Sequence, residues 1–286
     1  MSATALPALP FTTSQANADS LGWAAGQSFS AYGLRFGLRV NDAAILDVAC
    51  AAVPLGWQAA PSGQVDVLYS LRVAPPSQGQ PNEHLLSCGS ALIARALDLE
   101  AVLTAFNKHA ELLTAYRAQD CLFVHAGVVG WQQRAIVIPG RSFSGKTTLV
   151  KALVEAGASY YSDEFAILDG QGLVHPYPLP LALRGEDGQA SRKTPVEQLG
   201  GRAGSAPLPL GLVVVTHYQA RARWQPRQLS ASQALLALMD NTVAARREPE
   251  YSMPILREAV LGARCIQSTR GQASRVARAI LRQLER

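Results

Sequence analysis

The sequence predicts an α/β fold, and three observations carry that prediction. Short, strongly apolar runs such as Cys121–Val129, Ala135–Pro139 and Leu208–Thr216 have the length and composition of buried strands. Between them lie stretches with apolar residues at helical spacing, of which Leu97–Tyr116 is the longest. The two kinds alternate along the chain, as they do in α/β proteins. A change of character near residue 120 divides the 286 residues into a smaller α/β accessory region, 1–119, and a second domain, 120–286. Composition agrees: 48% of the residues are hydrophobic and 16% charged, which excludes a disordered chain. Four cysteines are too few for a disulfide scaffold.

Taken in order, residues 1–20 are Ala, Pro, Ser and Thr without periodicity and read as a loose arm. Ser28–Tyr32 and Leu34–Val40 flank Gly33 as a strand pair, and Asp42–Val53 is a short helix that Pro54 ends. Val65–Val73 alternates, with Val65, Val67, Tyr69 and Leu71 on one side, and is expected to be a strand. Pro75–Asn82 is a loop by composition. In Leu97–Tyr116 the residues Leu99, Val102, Leu103, Phe106, Ala110, Leu113 and Tyr116 share one helical face. After the strands Cys121–Val129 and Ala135–Pro139 comes a helix, Lys146–Ala156, ended by Gly157. Strands follow at Ala158–Ser162, Phe165–Leu168, Leu173–His175 and Leu179–Leu183. Arg184–Pro207 contains five Gly and no apolar periodicity, so it reads as a long mobile loop that closes over an acceptor. Leu208–Thr216 is a buried strand with Ala222–Leu229 as its partner. Helices at Ala231–Arg247 and Pro254–Leu261, a strand at Ala263–Ser268 and a helix over Gln272–Arg286 close the chain.

The net charge is +5, and of 26 basic residues only Lys108, Lys146, Lys151 and Lys193 are lysines. Arginine suits bidentate recognition of phosphate, but the scatter of these residues favours the plainer reading, the codon usage of a GC-rich genome. The basic side of the last helix (Arg275, Arg278, Arg282, Arg286) has no interleaved aromatic residue, so no nucleic-acid partner is expected. Cys50, Cys88, Cys121 and Cys265 lack the spacing of a zinc site and read as reduced thiols. No basic residue precedes Arg35, and no apolar run is long enough to span a bilayer. The expectation is a cytoplasmic protein without a membrane partner.

The chemistry is concentrated between residues 125 and 164. Gly140-Arg141-Ser142-Phe143-Ser144-Gly145-Lys146-Thr147 matches G-x-x-x-x-G-K-[ST], the phosphate-binding P-loop, and it lies between an apolar run and a helical segment as that motif requires. Glycines at 140 and 145 let successive N–H groups turn inward toward phosphate oxygens, and the helix start at Thr147 and Thr148 adds its dipole. Lys146 would bridge the terminal phosphates, and the Thr147 hydroxyl would join a Mg²⁺ shell. The next carboxylates, Asp163 and Glu164 in Tyr160-Tyr-Ser-Asp-Glu-Phe165, follow the helix at a strand end. A βαβ crossover would set that strand beside the one before the loop. One carboxylate could then hold Mg²⁺ while the other takes a hydroxyl proton, unless the pair is simply an acidic turn. His125, inside Leu122-Phe-Val-His-Ala-Gly-Val-Val129, is either a satisfied core histidine or part of the same site.

Val124-His-Ala-Gly-Val-Val129, the loop Gly140–Thr147, and Tyr161-Ser-Asp-Glu-Phe-Ala-Ile-Leu168 followed by Val174-His-Pro-Tyr-Pro-Leu-Pro-Leu-Ala-Leu-Arg184 resemble the HPr kinase/phosphorylase superfamily. More narrowly they resemble its HPr-kinase-related branch, some members of which act in the biosynthesis of ribosomal peptides such as lasso peptides. The resemblance implies a nucleotide-binding core like the C-terminal domain of HPr kinase and the ATP-dependent phosphoenolpyruvate carboxykinases. It also implies transfer of the γ-phosphoryl group of ATP to a serine hydroxyl, with Mg²⁺. By the same resemblance His125 matches the family's histidine before the loop, Asp163 the presumed base and Glu164 the second of the paired acids, an aspartate in the family. Ala126 replaces a glycine, and Arg184–Gly204 holds no counterpart of the Glu-x-Arg-Gly-x-Gly-Ile-Ile signature that serves HPr recognition and the reverse reaction. The expected function is therefore an ATP- and Mg²⁺-dependent kinase acting on a hydroxyl of a peptide or small protein. Its catalytic residues would be Asp163, His125 and Lys146, and its metal ligands Thr147 and Glu164. A small-molecule hydroxyl kinase and a non-catalytic nucleotide-binding module are the alternatives, and homo-oligomerisation stays open.

Overall fold

Alternating apolar residues and tight turns build the first unit, Met1–Gln119. Its strands are β1 (Thr13–Ser14), β2 (Ala25–Ala31) and β3 (Leu34–Val40), followed by the short helix α1 (Leu46–Ala51). Then come β4 (Gln58–Ala60), β5 (Gln64–Val65), β6 (Val67–Arg72), β7 (His84–Cys88), β8 (Ala91–Ala96) and the long helix α2 (Leu99–Arg117). The computed structural model describes residues 13–14, 22–74, 83–141, 144–183, 192–245 and 248–285. Tyr32 and Gly33 both take positive φ (51° and 80°), a turn whose twist matches that of the paired strands β2 and β3. Six strands form one sheet in the order β4-β2-β3-β6-β7-β8. Against it α2 buries Val102, Phe106, Ala110 and Leu113, the stripe its spacing predicts, and Asp98 caps its first turn. Trp57 fills the space between, stacked on Phe36 at 3.9 Å and edge-on to Phe106.

The expected strand Val65–Val73 is interrupted at Asp66, whose carboxylate accepts from the Arg35 N–H while its own N–H donates to the Arg35 carbonyl. Strands β4, β7 and β8 have no counterpart in the sequence reading, because their residues do not alternate cleanly between apolar and polar. The loose arm and the Pro75–Asn82 loop lie largely or wholly outside the described residues.

The second unit, Asp120–Arg286, begins with two long neighbours, β9 (Cys121–Trp131) and β10 (Arg134–Pro139), and the helix α3 (Lys146–Glu155). It continues through β11 (Ser159–Ser162), β12 (Phe165–Asp169), β13 (Leu173–His175), β14 (Leu181–Leu183), β15 (Arg192–Thr194) and β16 (Leu208–Tyr218). It closes with β17 (Arg227–Gln228), α4 (Ala231–Met239), α5 (Pro249–Val260), β18 (Arg264–Arg270) and α6 (Ala273–Leu281). The main sheet runs β10-β9-β12-β13-β16-β18-β17, β11 pairs with β9, and β10 also pairs with β16, which closes part of the path into a ring. Helices cover both faces. Ile136 and Ile138 of β10 pack with α3 and α6, while Ala135 and Val137 pack with α4 and α5. The mixed α/β class expected from the sequence is what the chain adopts.

Three expectations are corrected here. β10 and β11 are parallel but not adjacent, because β9 runs between them and pairs antiparallel with both. Ala222–Leu229 supplies only the two-residue β17, which joins β18 rather than β16. The described part of Arg184–Pro207 is not a loose loop: β15 pairs with β14, Val196 is buried, and the Tyr160 backbone bonds both Arg202 and Gly204. Its apolar anchors are single residues without period, so the sequence hid them. Residues 184–191 lie outside the described residues. Among the described residues no helix is long and apolar enough to cross a membrane.

Candidate functional site

The site is built where β10 passes into α3. Gly145 caps α3 with φ +85°, a left-handed conformation that a glycine takes without strain. Its carbonyl accepts the Leu149 N–H at 3.2 Å and closes the first turn. Lys146, the first helical residue, is only 8% exposed. Its Nζ donates to the Arg141 carbonyl at 3.0 Å, so the ammonium is folded back across the loop. Burial lowers its pKa, and the nearby charges of Glu164 and Asp163 act the other way. Gly140 donates its N–H to the His125 carbonyl at 3.1 Å, which ties the loop's start to β9. Arg141 and Thr148 are exposed, Ser144 and Thr147 half-buried, while Ser142 and Phe143 lie outside the described residues.

The acidic pair meets the loop through one short hydrogen bond. The Thr147 hydroxyl donates to Asp163 Oδ2 at 2.7 Å. Asp163 is 7% exposed, and its other oxygen lies 2.9 Å from the Tyr160 hydroxyl, which is also 2.7 Å from the Leu179 carbonyl. Burial and the Asp163 charge push the Tyr160 phenol well up, so it stays a neutral donor. Asp163 and Glu164 do not continue the strand. They form a turn between β11 and β12, in which the Ser162 Oγ accepts the N–H groups of Glu164 and Phe165. The turn leaves Asp163 buried and Glu164 exposed, with the Glu164 carbonyl accepting from Ala126 N–H.

His125 sits opposite Phe165 in the β9–β12 pairing, its ring 4.7 Å from the phenyl. Burial, then the Lys146 charge, lower its pKa, with a backbone hydrogen bond at Glu164 opposing them. The imidazole is therefore held toward its neutral form beside the loop. Gly127, two residues along, lets α3 approach: a Cβ there would lie 2.5 Å from Val150 Cγ2. Lys146, Thr147, Asp163, Glu164 and His125 are thus linked through the contacts and charges described.

Sequence reasoning missed Arg270, at the end of β18. It is 2% exposed, donates from Nη2 to the Gly145 carbonyl at 2.8 Å and from Nη1 to the Gly271 carbonyl, and its Nε has no hydrogen-bond partner among the described residues. A Cβ on Gly145 would come within 2.6 Å of this guanidinium. The one available signal was an arginine followed by glycine where a buried strand meets a helix. Tyr160 was also missed, since nothing in its spacing sets it apart from Tyr161.

The donor set suits a hard cation: a hydroxyl and a carboxylate already 2.7 Å apart. Among the described residues no three His, Cys, Asp or Glu side chains are grouped to hold a metal. Compared with known proteins, the chain matches no family model and no curated protein.

Proposed function

We propose that the chain is an ATP- and Mg²⁺-dependent kinase that transfers the γ-phosphoryl group to a serine or other hydroxyl of a peptide or small protein. The observation that carries this reading is the 2.7 Å hydrogen bond from Thr147 to Asp163, which joins the G-x-x-x-x-G-K-T loop to a buried carboxylate. Phosphoryl transfer asks the protein mainly for position and charge neutralisation. The loop's backbone would cradle the phosphates, and Lys146 would swing from the Arg141 carbonyl to the oxygens of the transferring group. Mg²⁺, when bound, would neutralise the phosphate oxygens, with Thr147 and a carboxylate of the turn as its protein ligands. The acceptor oxygen bonds to the γ-phosphorus as the bond from that phosphorus to the leaving ADP breaks, and the hydroxyl proton passes to a carboxylate.

In the first assignment Asp163 takes that proton, as the resemblance to HPr-kinase-related proteins implies, and the longer Glu164 serves the metal. The Thr147–Asp163 bond favours the exchanged assignment, because the hydroxyl and the acid it bonds are the usual pair around Mg²⁺ in P-loop proteins. Neutral His125, near Lys146, would help order the site in either case.

The test uses MgATP and a library of serine-containing peptides, read by mass spectrometry. A phosphorylated peptide is expected with the unaltered chain and none with Lys146→Ala, whose circular dichroism should match the parent. A phosphorylated metabolite and no phosphopeptide would point to the small-molecule kinase. Nucleotide binding without any phosphorylated product would point to a regulatory module. Unchanged phosphorylation by Lys146→Ala would remove the loop from the mechanism.

A further inference from the structure

Beside the loop lies a cleft of about 620 Å³ that the chemistry above leaves unused. Its size is that of a small-molecule site. One wall is a single face of α3, Thr148, Lys151, Ala152 and Glu155, at the i, i+3, i+4, i+7 spacing of a helical stripe. Lys146, at roughly 100° per residue, projects from the opposite side of the helix. The other wall is the start of α6 with Tyr218 and Arg270. Tyr218 and Arg270 are paired residues at the carboxyl ends of the parallel strands β16 and β18, where open α/β sheets bind ligands.

Two features indicate what the cleft takes. Arg270 is a guanidinium 98% buried without a carboxylate partner among the described residues, and its Nε is unpaired. A buried cation left this way lacks an anion. Its guanidinium carbon lies 5.8 Å from the Tyr218 ring centroid, while Tyr218 itself is 56% exposed. The cleft thus offers an anion-seeking group at the loop and an open aromatic face beyond it. The α3 stripe from Thr148 to Glu155 spans about 10 Å, the length of a nucleoside.

We propose, resting on the nucleotide reading above, that this cleft seats the nucleoside half of the nucleotide and tolerates different bases. The phosphate nearest the sugar supplies the counter-charge that Arg270 lacks, the sugar runs along Thr148 and Lys151, and the base stacks on Tyr218. Strong discrimination between bases requires buried polar groups that are left unpaired by the wrong one. Of the polar side chains lining α3 and α6 here, Thr148, Glu155, Gln272 and Ser274 are exposed and half-buried Lys151 is paired with Glu155, while stacking accepts any base.

The experiment is calorimetric titration of the full chain with MgATP, MgGTP and magnesium tripolyphosphate, which has the phosphates without a nucleoside. ATP and GTP should bind within about tenfold of each other. Tyr218→Ala should weaken both by roughly tenfold and leave tripolyphosphate unchanged. Equal weakening of all three ligands, no weakening of either nucleotide, or an ATP preference above roughly 100-fold would overturn the base site while the loop reading stood. An unaltered chain that binds no nucleotide, or a Lys146→Ala variant that binds it as well as the parent, would overturn the loop reading and this inference with it.

Discussion

Asp163 and Glu164 are neighbours in sequence yet occupy different environments, and the difference decides what each can do. Asp163 is buried with both oxygens near hydroxyls, Thr147 on one side and Tyr160 on the other. Glu164 is exposed and borders the charge of Lys146. If Asp163 is the base, Asp163→Asn should lower kcat by roughly 10²–10⁴ with nucleotide affinity nearly kept, and Glu164→Gln should raise the Mg²⁺ requirement. If Asp163 serves the metal, the metal requirement follows Asp163→Asn and the loss of kcat follows Glu164→Gln. Steady-state kinetics across a Mg²⁺ titration separate the two assignments. The sequence made both residues visible because acids soon after a G-x-x-x-x-G-K-T motif are conspicuous. It could not show the turn that separates them, since that turn depends on the Ser162 hydroxyl capping two backbone N–H groups.

At the level of elements, the approach of α3 to β9 is what holds Lys146 near His125. Gly127 permits it, with Val150 Cγ2 2.5 Å from where a Cβ would stand. Val150 is β-branched and stiff, so it has little room to yield. Gly127→Ala should cost about 1–3 kcal/mol by overpacking, a fall of several degrees in melting temperature, and under the proposed kinase reading should reduce phosphorylation beyond the loss of stability. Gly170→Ala is the control, since nothing lies within 4 Å of a Cβ there. A calorimetric scan that ranks the two variants equally would remove Gly127 from this role. The α2 stripe and the apolar runs of β9, β10 and β16 lie where the sequence put them, whereas α4 stops at Met239 instead of running to Arg247 and α5 begins at Pro249 instead of Pro254. Strands β4, β7, β8 and β15 were not legible, because their pairing is supplied by distant chain rather than by local pattern. The ring closure between β10 and β16 was illegible for the same reason.

For the molecule as a whole, two half-buried histidines set the response to acid. His125 in the second unit is lowered by burial and by the Lys146 charge, against a backbone hydrogen bond at Glu164. His109 in the first unit is lowered by burial, and its Nδ1 lies 2.9 Å from the Tyr69 hydroxyl. Both therefore titrate below the ordinary value of 6.5 when folded and near it when unfolded. Between those two values the unfolded chain binds more protons than the native one, so stability rises with pH across that window. It is fully present above 6.5, and it is lost as pH falls through the lowered native values. Each histidine can contribute a slope of at most about 1.4 kcal/mol per pH unit. Melting temperature should be flat between pH 7 and 8 and fall as pH drops below 6.5. Replacing His109 with Gln should flatten part of that fall, and replacing His125 with Gln another part. A melting temperature that holds constant down to pH 5 in the unaltered chain would mean that both imidazoles accept a proton in the native state without penalty. The neutral form assigned to His125 beside the loop would then be wrong as well.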